Sequence, residues 1–386
     1  MTKKITKKVI FILVLMIFGG LGGVIADRYF FPYLSTTKVF SKYAFLKKGS
    51  ENITVINKTE QITVREETSI SKITSQVSSS VVNIISYQDK DAKSLASKLP
   101  ASAKTKNTTG IIVTGDGMIM TYVLGKDVAD MKYKVMTHDG NVHDATLLGI
   151  DSYSNLAFLK INANNLSAAS FADSDSTKSG EKIIAVANSL ESYANRYASG
   201  LISDLDPSFN LSGMSVSSSE KLEGIYETDI DYKDYFVGGP VVDYSGQVVG
   251  MVGSIERNNE QSFFLIPANK IRTVINRAIA KELEKNPILG IYYIPISKTY
   301  VIENDLSVSS GAIIHSDSGQ QGLAVLANSP AQKAGLKLGD IITAVGGKEI
   351  TSHNSLSELL YAFKKGEQIE LTVLRDGQSM AVKVDL

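Results

Sequence analysis

Uncharged, apolar residues run without a break from Val9 to Ala26. As a helix this run of about eighteen residues would rise roughly 27 Å, close to the ~30 Å hydrocarbon core of a bilayer. Lys3, Lys4, Lys7 and Lys8 stand on its amino side, which predicts a cytoplasmic N-terminus and an outward-facing remainder. A cleaved signal peptide is the competing reading, because Val24 and Ala26 fit the small-residue cleavage pattern. The run is, however, longer than the ~7–15 apolar residues of a usual signal core. Either way the body of the protein is expected outside the cytoplasm. Tyr29, Phe30, Phe31, Pro32 and Tyr33 then form an aromatic cluster suited to the headgroup level, and polar, aperiodic sequence continues to Thr68 as a stalk.

From Ser69 the pattern becomes helical, with Ile70, Ile73 and Val77 on one face and Ser69 as a cap. Between Val81 and Pro267 it changes to short β-branched runs: Val81–Tyr87, Ile111–Thr114, Met118–Tyr122, Tyr133–Thr137, Leu156–Ile161, Lys182–Ala187, Val241–Tyr244 and Gln247–Gly253. Gly115-Asp116-Gly117, Asp139-Gly140 and Ser245-Gly246 supply hairpin turns. Many short strands at this spacing predict an all-β barrel or sandwich. The Lys/Ser/Ala/Thr-rich stretch from Gln88 to Thr109 reads as a long mobile loop.

Asn269 to Asn286 is expected as one amphipathic helix, with Ile271, Val274, Ile275, Ala278, Ile279 and Leu283 at helical spacing and Pro287 ending it. Beyond it, strands mix with two short helices opening at Ser329-Pro330 and Asn354-Ser355. Gly311 to Gly322 is longer than a tight turn needs and reads as a flexible insertion. The chain thus divides into a basic stub and membrane-spanning helix (1–28), a stalk (29–68), a β-rich unit (69–286) and a mixed unit (287–386).

Composition narrows the chemistry. The 386 residues suffice for two or three domains. Forty basic residues balance forty acidic ones, so nothing points to nucleic acid. The absence of cysteine excludes disulfides, thiolate nucleophiles and Cys-ligated metals. His138 and His143 flank a hairpin turn but lack the further ligands that a zinc site uses. No metal or cofactor is expected.

Ser80-Val81-Val82-Asn83-Ile84, Thr109 to Val113 with Gly115 to Thr121, Asp151 to Ile161, Thr228-Asp229, Gly238 to Val242 and Leu265-Ile266-Pro267 occur in this order. The ordered set resembles the HtrA/Deg family of trypsin-like serine proteases. The resemblance implies a mainly β fold, a chymotrypsin/trypsin-like double β-barrel over 69–286, which follows the N-terminal transmembrane helix expected from the apolar run. It also exposes departures. Where the family hairpin ends in Thr-Asn-Asn-His, with His as general base, this chain has Thr121-Tyr122-Val123-Leu124. Asn155 stands where the family carries the orienting Asp, and Val237 where it carries the nucleophilic Ser. The Gly two residues before that Ser is Tyr235, next to Phe236.

Acyl transfer in this class needs a hydroxyl, an imidazole and a carboxylate. Val237 has no heteroatom, Leu124 accepts no proton, and Asn155 has no imidazole to hold. Tyr235 adds a Cβ where the oxyanion loop has Gly. These changes imply a pseudoprotease with no catalytic residue. Ser217, Ser218, Ser219 and Ser262 have no His at a motif spacing.

Residues 287–386 resemble the family's α+β PDZ domain. Ile288-Leu289-Gly290-Ile291 looks like its carboxylate-binding loop, and Asn328 to Leu336 with Gly339 to Ile342 like its most recognisable segment. The resemblance implies strand addition of an extended peptide after Gly290, with Leu356 and Leu360 on the opposite wall, although leucines at helical spacing are also what a core requires. Implied partners are peptides or unfolded protein C-termini, and a homotrimer or a mixed oligomer with an active HtrA-type protease. The expected role is adaptor, holdase or regulator in envelope protein quality control. An active serine-type endopeptidase using another site, or a structural membrane-tethered scaffold, are the alternatives.

Overall fold

The computed structural model describes residues 2–30, 33, 70–88, 105–123, 131–188, 195–257, 260–352 and 354–386. The chain forms two compact units, Met1–Lys72 and Ile73–Leu386. In the first, α1 (Thr2–Ile25) runs into a π-helical turn, Ala26–Phe30. Phe11, Leu15, Phe18 and Val24 are all exposed on it. Among the described residues no helix is long and apolar enough to cross a membrane. The side chains of residues 2–10, 12 and 13, on which the expected span partly falls, lie outside those described. So do the stalk over 34–68 and Leu124.

The second unit begins with helical residues 73–78, which bury Ile73 and Val77. Two closed barrels follow. The first holds β1 (Val81–Gln88), β2 (Thr105–Ile112), β3 (Met118–Tyr122), β4 (Met131–Met136), β5 (Val142–Ile150) and β6 (Leu156–Ile161) in the order β1-β2-β3-β6-β5-β4. Val82, Ile84, Ile112, Ile119, Val135, Leu159 and Ile161 fill its interior. The second holds β7 (Lys182–Asn188), β8 (Asn195–Asn210), β10 (Glu223–Thr228), β11 (Pro240–Val242), β12 (Val248–Arg257) and β13 (Glu260–Pro267), ordered β10-β13-β12-β11-β7-β8. The short β9 (Ser217–Ser218) lies between β8 and β10 in the chain but joins neither barrel.

Barrel strands bury alternate residues when one face meets solvent. β3 instead buries Ile119, Met120, Thr121 and Tyr122 in succession. One face lines the first barrel; the other meets the second, where the Tyr122 ring stands edge-on to Phe264.

α2 (Ala268–Ile279) packs against β12 and β13 of the second barrel. It is shorter than the expected 269–286, because Lys281 adopts a left-handed φ of +58° just past the helix end. The Lys281 N–H turns back to the Ala278 carbonyl and the Glu282 N–H to the Arg277 carbonyl, the form of a C-terminal cap. Leu283 is still buried after the turn while Ile279 is exposed, so helical spacing alone overran the helix.

The remaining sheet is ordered β19-β18-β16-β15-β14-β9, with β17 beside β16. Its strands are β14 (Tyr292–Pro295), β15 (Ala312–Ile314), β16 (Ile341–Val345), β17 (Lys348–Glu349), β18 (Gln368–Arg375) and β19 (Gln378–Asp385). Helices α3 (Lys298–Asn304), α4 (Gln321–Ala324), α5 (Pro330–Lys333) and α6 (Leu356–Tyr361) pack around it. Ser329 and Ser355 cap α5 and α6 through their hydroxyls. The segment expected as a flexible insertion, Gly311–Gly322, holds the buried strand β15 and the start of α4, because Ala312 and Ile314 are core residues. Likewise β2 starts at Thr105, inside the expected loop, since β1 extends far enough to pair Tyr87 with it.

Candidate functional site

The cleft between the barrels is built where β3 ends and β6 begins. Tyr122 pairs with Leu156, and the turn before β6 brings Asn155 alongside, with φ +61°, a left-handed conformation that Asn tolerates. The Val123 N–H donates to the Asn155 carbonyl at 3.0 Å. The Asn155 amide donates to the Tyr122 hydroxyl at 3.2 Å, and its Oδ1 accepts from Lys221 Nζ at 3.4 Å. Burial pushes the Tyr122 hydroxyl up to about 12, with the Asn155 bond opposing. Asn155 is therefore engaged by Tyr122 and Lys221.

Val237 ends the 3₁₀ turn Asp234–Phe236. Its side chain is 2% exposed, and its N–H donates to the Asp234 carbonyl at 3.1 Å. An oxyanion hole needs N–H donors aimed at the position of the developing charge; this one closes its own turn. The half-exposed Tyr235 ring lies under the Arg196 guanidinium at 4.7 Å, a cation–π geometry. Phe236 is buried against Tyr232, with ring centroids 5.7 Å apart.

The backbone frame beneath these side chains is tight. Gly238 has φ +79°, and a Cβ there would stand 2.3 Å from the Thr109 carbonyl and 2.4 Å from Thr121 Oγ1. The Thr121 hydroxyl donates to the Thr109 carbonyl at 2.7 Å, and the Thr109 hydroxyl to the Tyr235 carbonyl at 2.8 Å.

The loop at Ile288–Ile291 is the second candidate. Gly290 has φ +81°, and a Cβ would fall 2.4 Å from Ser329 Cβ. This conformation turns consecutive backbone N–H groups outward. The Leu289 and Gly290 N–H groups donate to one oxygen of the Glu220 carboxylate, at 3.0 and 2.8 Å. The Ile291 N–H donates to Ser219 Oγ at 3.1 Å, and the Ser219 N–H donates to the Ile291 carbonyl at 3.1 Å. Beyond, β9 pairs antiparallel with β14, Ser218 opposite Tyr292 and Ser217 opposite Tyr293. A carboxylate and an extended strand thus sit on the loop and its strand, both supplied by the chain itself.

The helix wall of the groove is held from the barrels. Tyr153, in the turn that leads to Asn155, stacks on Tyr361 at 4.0 Å and 13°. Arg277 of α2 donates to the Tyr361 carbonyl at 3.1 Å, and its guanidinium lies 4.6 Å from the Tyr361 ring. Lys270 reaches Glu358 at 2.7 Å. At the far end of β14 the groove opens into a cavity of about 470 Å³, lined by Glu223, Tyr293, Ile296, Ile350 and Leu356 among others. Glu223 is buried there. The Tyr293 hydroxyl donates to it at 2.5 Å and the Ser217 hydroxyl at 3.4 Å, and burial raises its carboxyl to about 7.

The expected site residues therefore fall in two places. Asn155, Tyr235, Phe236 and Val237 frame the cleft, and Leu124 lies outside the described residues. Leu289, Gly290 and Ile291 form the loop, with Ile288 47% exposed beside it. Leu356 and Leu360 are 1% and 2% exposed and pack in the core with Leu289 and Ile291; Leu356 also lines the cavity. Sequence reasoning missed Glu220 and Tyr153, and weighed Ser219 only as a nucleophile. No periodicity marks them, because tertiary contact alone gives them partners. Among the described residues, no group of three or more His, Asp or Glu is placed to hold a metal.

The trypsin-like peptidase domain family matches residues 108–251 and the PDZ domain family residues 287–386. Serine protease Do-like HtrA of Lactococcus lactis subsp. cremoris (strain MG1363) is 28% identical over 399 residues, covering 96% of this chain and 94% of its own length. Periplasmic serine endoprotease DegP of Escherichia coli (strain K12) is 29% identical over 283 residues, covering 72% of this chain and 56% of its own. Among solved structures, HtrA-type protease AlgW with tripeptide shares the fold, with a TM-score of 0.61 and 20% identity over 82% of this chain and 95% of that one.

Proposed function

The chain belongs to the HtrA/Deg family of trypsin-like serine proteases with a C-terminal PDZ domain, and from that premise we propose that it is a membrane-anchored, extracytoplasmic pseudoprotease that binds peptides or unfolded protein tails. One observation carries the loss of chemistry. At the nucleophile position Val237 offers only a buried hydrocarbon, and its N–H closes a local turn. Asn155 and Leu124, at the other two triad positions, supply neither a carboxylate nor an imidazole.

Binding is proposed for the PDZ loop, whose Leu289 and Gly290 N–H groups already hold a carboxylate. Anchoring is proposed for the apolar run Val9–Ala26 behind its lysines, since a helix that exposes Phe11, Leu15, Phe18 and Val24 needs an apolar surrounding. The corresponding role is adaptor, holdase or regulator in envelope protein quality control, as a homotrimer or in a mixed oligomer with an active relative. Fluorogenic casein digestion by the purified full-length chain tests the first claim. No turnover above buffer is expected. Turnover that persists in a Val237→Ala variant would place chemistry elsewhere and sink this reading. Capture of an active family member on the tagged chain would mark the mixed assembly.

A further inference from the structure

The groove that should receive a peptide terminus is already filled. Three features of the filler reproduce what such a peptide would bring. The Glu220 carboxylate accepts the Leu289 and Gly290 N–H groups at 3.0 and 2.8 Å. The Ser219 N–H and the Ile291 carbonyl pair at 3.1 Å. Ser217 and Ser218 extend the sheet along β14 in antiparallel register. The filler's own side chains are tied down around the carboxylate, since Ser219 Oγ donates to Glu220 Oε1 at 2.7 Å and Ser218 Oγ to Oε2 at 3.1 Å. Charge-assisted bonds from backbone donors are among the stronger polar contacts a protein makes. Held within one chain, they also act at high effective concentration.

We infer that residues 217–220 are a built-in ligand for the chain's own PDZ groove, with the Glu220 side chain standing in for a peptide's terminal carboxylate. The inference rests on the proposed reading of the loop as a carboxylate site. It makes the free protein a closed state. An external peptide binds only to the fraction in which the segment is released, so its apparent affinity is lowered by that fraction. The displacing ligand must bring a free carboxylate and an extended backbone with an N–H for the Ile291 carbonyl. The cavity past Ser217 stays open in the closed state, and its walls at Ile296, Ile350 and Leu356 suit an apolar side chain upstream of the terminus.

The test uses the full-length protein in detergent. The probe is a pool of fluorescein-labelled decapeptides with randomised last four residues and a free C-terminus, read by fluorescence anisotropy, with the amidated pool as control. Glu220→Ala removes the internal carboxylate. Ser219→Pro removes the N–H that pairs with Ile291. Each variant is expected to bind the free-carboxylate pool at least about ten-fold more tightly than wild type, about 1.4 kcal/mol, with no gain for the amidated pool. Equal affinity in wild type and both variants would overturn the closure and leave the peptide site standing. No binding in any of the three would overturn the peptide site, and the closure with it.

Discussion

The cleft around Val237 and the groove around Gly290 were expected from the same kind of resemblance, yet they carry their chemistry differently. On the proposed reading, a trypsin-like cleft takes its nucleophile, base and orienting carboxylate from side chains, and replacing those three leaves the frame in place without them. Gly238 still holds its left-handed turn against Thr109 and Thr121, although the residue before it is Val237. A PDZ loop works through backbone N–H groups, which survive as long as one glycine keeps the turn. Gly290 does so, and its donors are occupied rather than lost. A side-chain site is lost by substitution; a backbone site whose glycine is kept can be silenced by occupation, and occupation is reversible.

The largest expected effect comes from attacking the frame that the cleft retains. Gly238→Ala would set a methyl 2.3 Å from the Thr109 carbonyl, at a φ of +79°. Strain and overlap together should cost about 3 kcal/mol or more, read as a fall in the urea midpoint. A cost under about 1 kcal/mol would mean that the frame is no more rigid than the surface and that the cleft's scaffold has decayed with its side chains.

A smaller effect, confined to one pH range, comes from the groove side. The carboxyl of Glu223 lies against Tyr293 and Ser217, and Lys270 bonds the Glu223 carbonyl at 2.7 Å while its other partner is Glu358. Its value of about 7 in the fold lies above the ordinary 4.5. Below about 4.5 the group is neutral in both states and its contribution is complete. Between about 4.5 and 7 the unfolded chain gives up the proton while the fold retains it, so stability falls as pH rises, by up to about 3 kcal/mol, and then levels off. Denaturant melts of Glu223→Gln across this range should lack that decline. Parallel slopes in wild type and variant would show that Glu223 ionises freely and puts no burden on the strand paired beside it.

Much of this architecture was legible in the chain. β-branched runs closed by Gly-Asp and Asp-Gly turns mark barrel strands because period and turn chemistry are local. Ser329-Pro330 and Ser355 open their helices as read, since a cap acts within a few residues. Failures occur where tertiary contact decides. Asn195–Asn210 is one long strand although much of it is polar, because two neighbours, β7 and β10, pair with it. Ser217–Glu220 has the composition of a surface loop, and only pairing with β14 makes Ser217–Ser218 a strand. Tyr153 sits in an unremarkable turn, and its importance is the Tyr361 ring beneath it. The groove was readable, and its occupant was not.

The smallest expected effect is also the sharpest test of the cleft. Val237→Ser returns a hydroxyl to the nucleophile position, and Asn155→Asp beside it returns a carboxylate. We expect no gain in casein turnover from either or both. The restored hydroxyl would still have no base, because Leu124 is a hydrocarbon. The Val237 N–H donates to the Asp234 carbonyl, so this N–H is not presented to an oxyanion. A restored carboxylate would meet Lys221 and the Tyr122 hydroxyl, the present partners of Asn155, before any imidazole. Fluorophosphonate labelling followed by mass spectrometry reads the outcome more sensitively than turnover. Modification of the introduced serine would mean that the cleft's backbone is still poised for acyl chemistry, and that the cleft, like the groove, is silenced rather than erased.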